Sequence, residues 1–301
     1  MDVPKLRQLA SVVKLRSFSQ AAEALGISQP ALSKNIKALE RSLGVRLLER
    51  GRFGATPTDF GLALAQRADA IEAELRIAED EIATLRAARK GRLCIGCGPS
   101  EATRLLPRAL ARLRMKTPAI HITVLYGLNE ALIPMVKHGD VDFALSSIPA
   151  RSADPELRHT PIYEDTAVIV ARYGHPLAAL RRSLVASDLI GREWILARRQ
   201  ELERAALDEV LATLGAPAAE GVIETTSAVL MKTLVMQSDY LTFLPRELIY
   251  WEEQSRQLRA LRVDAPGWHR VVGVTARARG RLSQAAEAMI EELKATARDF
   301  A

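Results

Sequence analysis

The sequence predicts a fold of class α+α/β: a helical N-terminal unit, a long connecting helix and a larger α/β domain in two lobes. Three observations predict it. Residues 19–50 read as two short helices joined by a tight turn and followed by a basic segment. An apolar heptad then runs from Leu64 to Leu85. Beyond residue 91, short apolar runs alternate with stretches of helical periodicity, as βαβ units do. A chain of 301 residues is long enough to bury two or three cores.

The first helix is expected over 5–16, with Leu6, Leu9 and Val13 facing inward. Ala21, Ala22 and Leu25 give the second a small apolar face, and Gly26 breaks it. Ser28 is a good N-cap, and Pro30 stands in the first turn, where its missing N–H costs nothing. Leu32, Ile36, Leu39 and Leu43 recur at helical spacing as one buried stripe, and Gly44 closes the helix. The opposite face carries Pro30, Lys34, Lys37 and Arg41, with Gln29 and Ser33 on its flank. Such a helix can lie in a DNA major groove. The plain alternative is a helical hairpin with a solvated basic face. Val45 to Thr56 make a wing-like segment with Arg46, Arg50 and Arg52. Pro57 marks a break, and Thr58 can cap the next helix.

Charge supports the groove reading. The net charge is +6, and residues 1–60 hold +5 of it, with ten Lys/Arg against five Asp/Glu. The positive excess therefore sits where phosphate attraction requires it.

The next helix is expected over 59–89. Leu64, Ala68, Ile71, Leu75, Ala78, Ile82 and Leu85 are spaced alternately four and three apart, a narrow seam suited to a partner helix. A second copy of the chain is the expected partner, and packing within the chain is the alternative. Two paired copies would present two reading helices to two half-sites.

In the remainder, strands are expected at Leu93–Gly96, Ile120–Tyr126, Val141–Ser146, Thr166–Ala171, Trp194–Ala197, Val222–Thr225 and Leu241–Leu244. Helices are expected at Ala102–Met115, Glu130–Lys137, Glu201–Leu214, Val229–Gln237 and Ser283–Arg298. The alternation implies parallel sheets in two lobes with a cleft between them. Cys94 and Cys97 form a Cys-x-x-Cys pair with no second pair and scattered histidines. Small buried apolar residues are the expected reading, ahead of a redox or zinc site, and no metal is expected. There is no run of 18 apolar residues and no signal-peptide core, which points to the cytoplasm and away from a membrane. No phosphate loop, nucleophile elbow, metalloprotease motif or dinucleotide fingerprint occurs, so an enzyme is not expected.

The run SFSQAAEALGISQPALSKNIKALERSLGVRLLER, followed by PTDFG, resembles the N-terminal motif of the LysR-type transcriptional regulators. GPSEATRLLP, HGDVDFAL, ARYGHPLA and the strand ending at Leu244–Pro245 resemble that family's effector domain. The resemblance covers the full length. It implies a winged helix-turn-helix at 1–58, a dimerising linker helix at 59–90 and an effector-binding domain like periplasmic binding proteins at 91–301. In the last, lobe I spans about 91–162 and 267–301, and lobe II about 163–266. It implies a homotetramer built as a dimer of dimers, acting on bacterial promoters with RNA polymerase and answering to a small-molecule effector. Leu48 replaces the family's usual Phe, Phe53 stands beside Arg52 where an Arg is frequent, and Gln237 to Leu241 replace a Gly-containing turn.

For DNA, Gln29 suits an adenine edge, Pro30 a thymine methyl, and Ser33 a base or a phosphate, with Lys34 near the groove. Lys37 and Arg41 suit phosphate, and Arg50 and Arg52 phosphate or the minor groove. A structural ion pair is the alternative for Arg50. For the effector, loop-to-helix junctions at Ser100 and Glu101, at Asn129, at Gln200, Glu201 and Leu202 (a segment reaching Glu203), and at Thr226 and Ser227 are expected to offer helix N-termini. That favours an anionic metabolite, with Arg104, Arg198 and Arg199 available to neutralise it. Ser100 and Asn129 match positions that the resemblance places in the cleft. Simple helix capping is the alternative for each.

Overall fold

The computed structural model describes residues 2–51, 54–85, 91–149, 154–199, 202–264 and 268–299; the side chains of Arg50, of residues 76, 77, 79–81 and 83–85, and of Leu202 lie outside the described ones. The N-terminal unit contains α1 (Val3–Leu15), α2 (Phe18–Ala24), α3 (Gln29–Leu43), the hairpin β1 (Leu48–Gly51) and β2 (Gly54–Pro57), and the first turns of α4 (Asp59–Leu85). The side chains of Asp2, Ser17 and Ser28 cap the first three helices by accepting from the amides of Lys5, Gln20 and Ala31. The Asp2 cap starts α1 two residues earlier than expected, and Val12 rather than Val13 is its buried valine. Leu9, Val12, Ala21, Leu32, Ile36 and Leu39 close one small core. Leu43, expected in that stripe, is exposed because the helix overruns the core in its last turn. Thr58 caps α4 by accepting from the Gly61 amide.

The C-terminal domain runs β3 (Arg92–Cys97), α5 (Leu105–Lys116), β4 (His121–Tyr126), α6 (Asn129–His138), β5 (Phe143–Ile148), β6 (Leu157–Arg172), α7 (Ala186–Leu189), β7 (Trp194–Leu196), α8 (Leu202–Thr213), β8 (Gly221–Glu224), α9 (Ala228–Met236), β9 (Thr242–Pro245), α10 (Tyr250–Gln254), β10 (Leu258–Ala260), β11 (Trp268–Arg277) and α11 (Gln284–Arg298). Its main sheet has the order β10-β6-β11-β5-β3-β4, with β9 also paired to β6. The expected all-parallel pairing holds only for β3 with β4 and β5 and for β7 with β8. The rest is antiparallel, because β6 and β11 are long strands that pair with each other and run through both lobes. β11 is not among the strands expected from the sequence. At the register shift in the β6–β11 pairing, Gly273 is required: a Cβ there would stand 2.4 Å from the Thr160 carbonyl oxygen.

Lobe I packs α5 and α11 against β3, β5 and β11. Lobe II packs α8 against β7 and β9 around Trp194, with α9 closing a second cluster. Two contacts tie lobe I to the N-terminal unit through the end of α6. His138 Nε2 lies 3.5 Å from Asp69 of α4, and Lys14 of α1 donates to Asp140 at 3.3 Å. Among the described residues no helix is long and apolar enough to cross a membrane.

Candidate functional site

Two candidate sites emerge, one on the surface of α3 and one between the lobes. On α3, burial of Leu32, Ile36 and Leu39 fixes the helix rotation. Gln29, Pro30, Lys34, Lys37 and Arg41 are therefore all exposed, with Ser33 half-buried among them. Gln29 is already oriented: its amide oxygen accepts from Ser19 Oγ at 3.1 Å, which leaves its NH2 outward as a donor. Arg50 lies in β1 of the hairpin beyond α3, while Arg52 and Phe53 fall outside the described residues.

The α4 seam divides in two. Leu64 and Ala68 turn inward, Leu64 against the core of α1–α3, because α4 packs along α1. They are not available to a partner helix, which corrects the single seam expected from the heptad. Ile71, Leu75 and Ile82 are 37%, 45% and 52% exposed, and Ala78 is exposed too. Ile71, Leu75 and Ile82 are large apolar side chains on the surface of a long helix. Leu85 cannot be placed in this scheme, since its side chain lies outside the described residues.

The second site is a cavity of about 200 Å³ where the lobes meet. Lobe I contributes the turn after β3, the first turn of α6 and the strand β5; lobe II contributes α8, α9 and the strand β9. Gly98 leaves room for the Glu101 carboxylate, whose Oε2 would lie 2.3 Å from a Cβ at that position. At the junction Arg270 of β11 donates from Nη2 to Asp165 (2.8 Å) and Glu101 (3.2 Å), and from Nε to Asp165 (3.2 Å). Glu203 Oε1 is 4.0 Å from its Nη1. Arg270, Glu101 and Asp165 are all buried. Burial raises the Glu101 carboxyl above its ordinary range, and the Arg270 charge opposes that rise. Beside the cavity the lobes are latched: Arg104 donates to both Glu247 oxygens (2.6 and 2.9 Å) and lies 4.1 Å over the Tyr250 ring. Trp251 Nε1 donates to the Thr103 carbonyl at 3.2 Å.

Comparison with known proteins gives this geometry a family. The model "Bacterial regulatory helix-turn-helix protein, lysR family" matches residues 4–62, and "LysR substrate binding domain" matches residues 86–298. The chain belongs to the LysR family. The SDS degradation transcriptional activation protein of a Pseudomonas strain is 32% identical over 295 residues, 96% of this chain and 94% of that protein. The regulator GbpR of Azospirillum brasilense is 33% identical, over 81% of this chain and 72% of that one. Among solved structures, a full-length OxyR variant from Pseudomonas aeruginosa superposes with a TM-score of 0.70 at 21% identity, over 99% of this chain and 95% of that one. CbnR in complex with its target DNA gives 0.65 at 18% identity, over 98% and 100%. The chain is thus a LysR-type transcriptional regulator, with a DNA-binding helix-turn-helix unit and an effector-binding domain. These relatives are named as transcriptional regulators, not as enzymes.

Within this LysR-family fold, several expected effector contacts sit differently from their sequence reading. Ser100 is buried and lines the cavity, but α5 begins only at Leu105, so Ser100 opens no helix. Glu101 lines the cavity with its carboxylate committed to Arg270. Asn129 is the first residue of α6 rather than its cap, and its amide donates to the Ser147 carbonyl at 2.8 Å. Thr226 lines the cavity, whereas Ser227 caps α9 by accepting from the Leu230 amide. Gln200 and Glu201 lie outside the described residues, as does the side chain of Leu202. Arg104 is engaged by Glu247, and the exposed Arg198 and Arg199 lie outside the cavity lining. Cys97 is buried and Cys94 half-buried; burial raises the Cys97 thiol, and neighbouring Glu101 adds to the rise, so it stays protonated. The turn at Gln237–Leu241 is held by Ser238 Oγ donating to the Leu234 carbonyl and by Asp239 pairing with Arg172.

Sequence reasoning missed Arg270, Asp165 and Ser146. The run Val271, Val272, Val274 after Arg270 was a readable strand signal. Nothing local marks Arg270 as the partner of Glu101, 169 residues away.

Proposed function

We propose that this regulator binds promoter DNA in a sequence-specific manner as a dimer paired along α4, assembled further into a homotetramer. In this reading a small molecule held in the interlobe cavity changes how the assembly sits on DNA and meets RNA polymerase, in the cytoplasm. The observation that carries it is the α3 surface: a buried stripe of Leu32, Ile36 and Leu39 turns Gln29, Pro30, Lys34, Lys37 and Arg41 to solvent together. Ser33, Gln29 and Pro30 have the chemistry for base edges, and Lys37 and Arg41 for phosphate. Arg50 and Arg52 extend the contact through the wing. The exposed Ile71, Leu75 and Ile82 favour a second α4 as the linker's partner, since isolated apolar side chains of that size on one helix gain most from mutual burial.

The test joins sedimentation with footprinting on the DNA upstream of neighbouring genes. The expected result is a dimer or tetramer protecting paired half-sites about one helical turn apart or a multiple of it, with the protected span altered by an effector. A monomer with no preferred site would overturn the reading.

A further inference from the structure

We propose that the effector of this cavity carries an amine, held as an ammonium group between the α6 and α8 carboxylates and the acceptor oxygens of Asn129 and Ser146. The proposal rests on the reading that the interlobe cavity is the effector site, and it adds the ligand's chemical class.

The cavity is acidic. Among the described residues lining it, Arg270 is the single cation, while Glu101, Glu130 and Glu203 are acids. Arg270 is itself surrounded, by Asp165, Glu101 and Glu203 at 2.8, 3.2 and 4.0 Å. One guanidinium faces three carboxylates, and Glu130 adds a fourth to the lining, so the group is net negative even with the buried Glu101 protonated. An anionic ligand would meet no uncommitted positive charge there, and close like charges in a partly desolvated site repel by several kcal/mol.

Two of the helix N-termini that suggested an anionic metabolite, those of α6 and α8, are already answered by acids of the chain, while α9 has no acid in its first turn and is capped by Ser227. Glu130 lies in the first turn of α6 and Glu203 in the first turn of α8. Each places its own carboxylate where the helix dipole would otherwise favour a ligand's.

Unmet hydrogen bonds point the same way. Ser146 is 3% exposed, lines the cavity, and its Oγ, a hydroxyl able to accept or to donate, has no partner. Asn129 Oδ1 is likewise buried and unpartnered, while its Nδ2 donates to Ser147. That donation fixes the amide orientation, so Oδ1 can only accept. A buried acceptor without a donor is costly, and an ammonium brings three donors and no acceptor. Met231, Phe243 and Leu248 line the apolar remainder. The volume is below the usual ~300–1,000 Å³ of ligand clefts, which suits a short carbon skeleton.

The test is calorimetry and thermal unfolding of the full-length protein with matched probes: butylamine and putrescine against butyrate and succinate, at equal ionic strength. The amines are expected to bind at least ~10-fold more tightly than the acids. Glu203→Gln should weaken amine binding about 5- to 10-fold, and the more exposed Glu130→Gln about 2-fold. Binding of the acids alone, or of no amine, overturns the proposal. Ala197→Phe, which fills the cavity, separates the two levels. If acids bind the native protein but not this variant, the cavity reading stands and the charge assignment fails. If any probe binds both equally, the cavity reading itself fails.

Discussion

The DNA-facing helix and the interlobe junction hold their charges in opposite ways. On α3 the cations Lys34, Lys37 and Arg41 stand in water, and Arg41 donates to the Lys37 carbonyl of its own helix. At the junction Arg270 is enclosed and compensated by carboxylates from lobe I and from β6. Exposed charges contribute little to folding and remain free to exchange counterions for phosphate. Enclosed charges do the reverse: each becomes a condition for the others being there. One region should therefore fail in binding when altered, and the other in folding.

The largest effect is expected from Arg270→Met, which leaves Glu101 and Asp165 buried without a counter-charge. Breaking such a pair costs about 3–5 kcal/mol, and calorimetric unfolding of the C-terminal domain should show it. A loss under ~1 kcal/mol would mean the junction is hydrated, erasing the contrast. The double change Ile71→Asp with Leu75→Asp comes next. It should dissociate the assembly in sedimentation and lower promoter affinity by roughly 100-fold or more, with α3 untouched, because avidity from two half-sites is lost. Promoter affinity unchanged in a monomeric variant would sink the paired-reading account. Lys37→Ala should leave the unfolding temperature where it is. It should weaken specific and random DNA alike and reduce the salt slope by about 1, whereas Ser33→Ala should weaken the specific site by ~1 kcal/mol and random DNA hardly at all. Equal losses on both DNAs for Ser33→Ala would remove it from base reading.

The smallest effect concerns pH. His175 is buried, and its Nδ1 accepts from the Leu177 amide at 3.0 Å. Burial lowers its pKa, so the native state resists the proton that the unfolded chain takes up readily. Its contribution is complete above the unfolded value of ~6.5 and is lost as pH falls through the lowered native value. Thermal unfolding of His175→Gln compared with the native protein across that window measures it. An identical pH slope in both would show that His175 is not the group responsible.

The same contrast explains what could be read from the sequence. The α3 face is local: its buried stripe and its cations are set by spacing along fifteen residues, and Ser28, Pro30 and Gly44 mark its ends. The cavity is not local. Its network joins residues 101, 165, 203 and 270; the valines of β11 mark a strand, but nothing along it marks Arg270 as the partner of carboxylates so distant in sequence. Asn129 could be found as a helix start but not as an acceptor fixed by Ser147, which depends on β5 lying alongside. In α4 the heptad was visible, yet spacing alone could not reveal that Leu64 and Ala68 face the chain's own core.

One element reaches from the cavity to the DNA-reading unit. Helix α6 places Asn129 at the cavity and ends beside Asp140, which meets Lys14 of α1, while His138 meets Asp69 of α4. Its ten residues span about 15 Å. Pro134 removes the bond to the Glu130 carbonyl and so softens only the end nearer the cavity. A molecule that nudges Asn129 is therefore pushing on a tiller whose far tip already rests against the part that steers along the duplex.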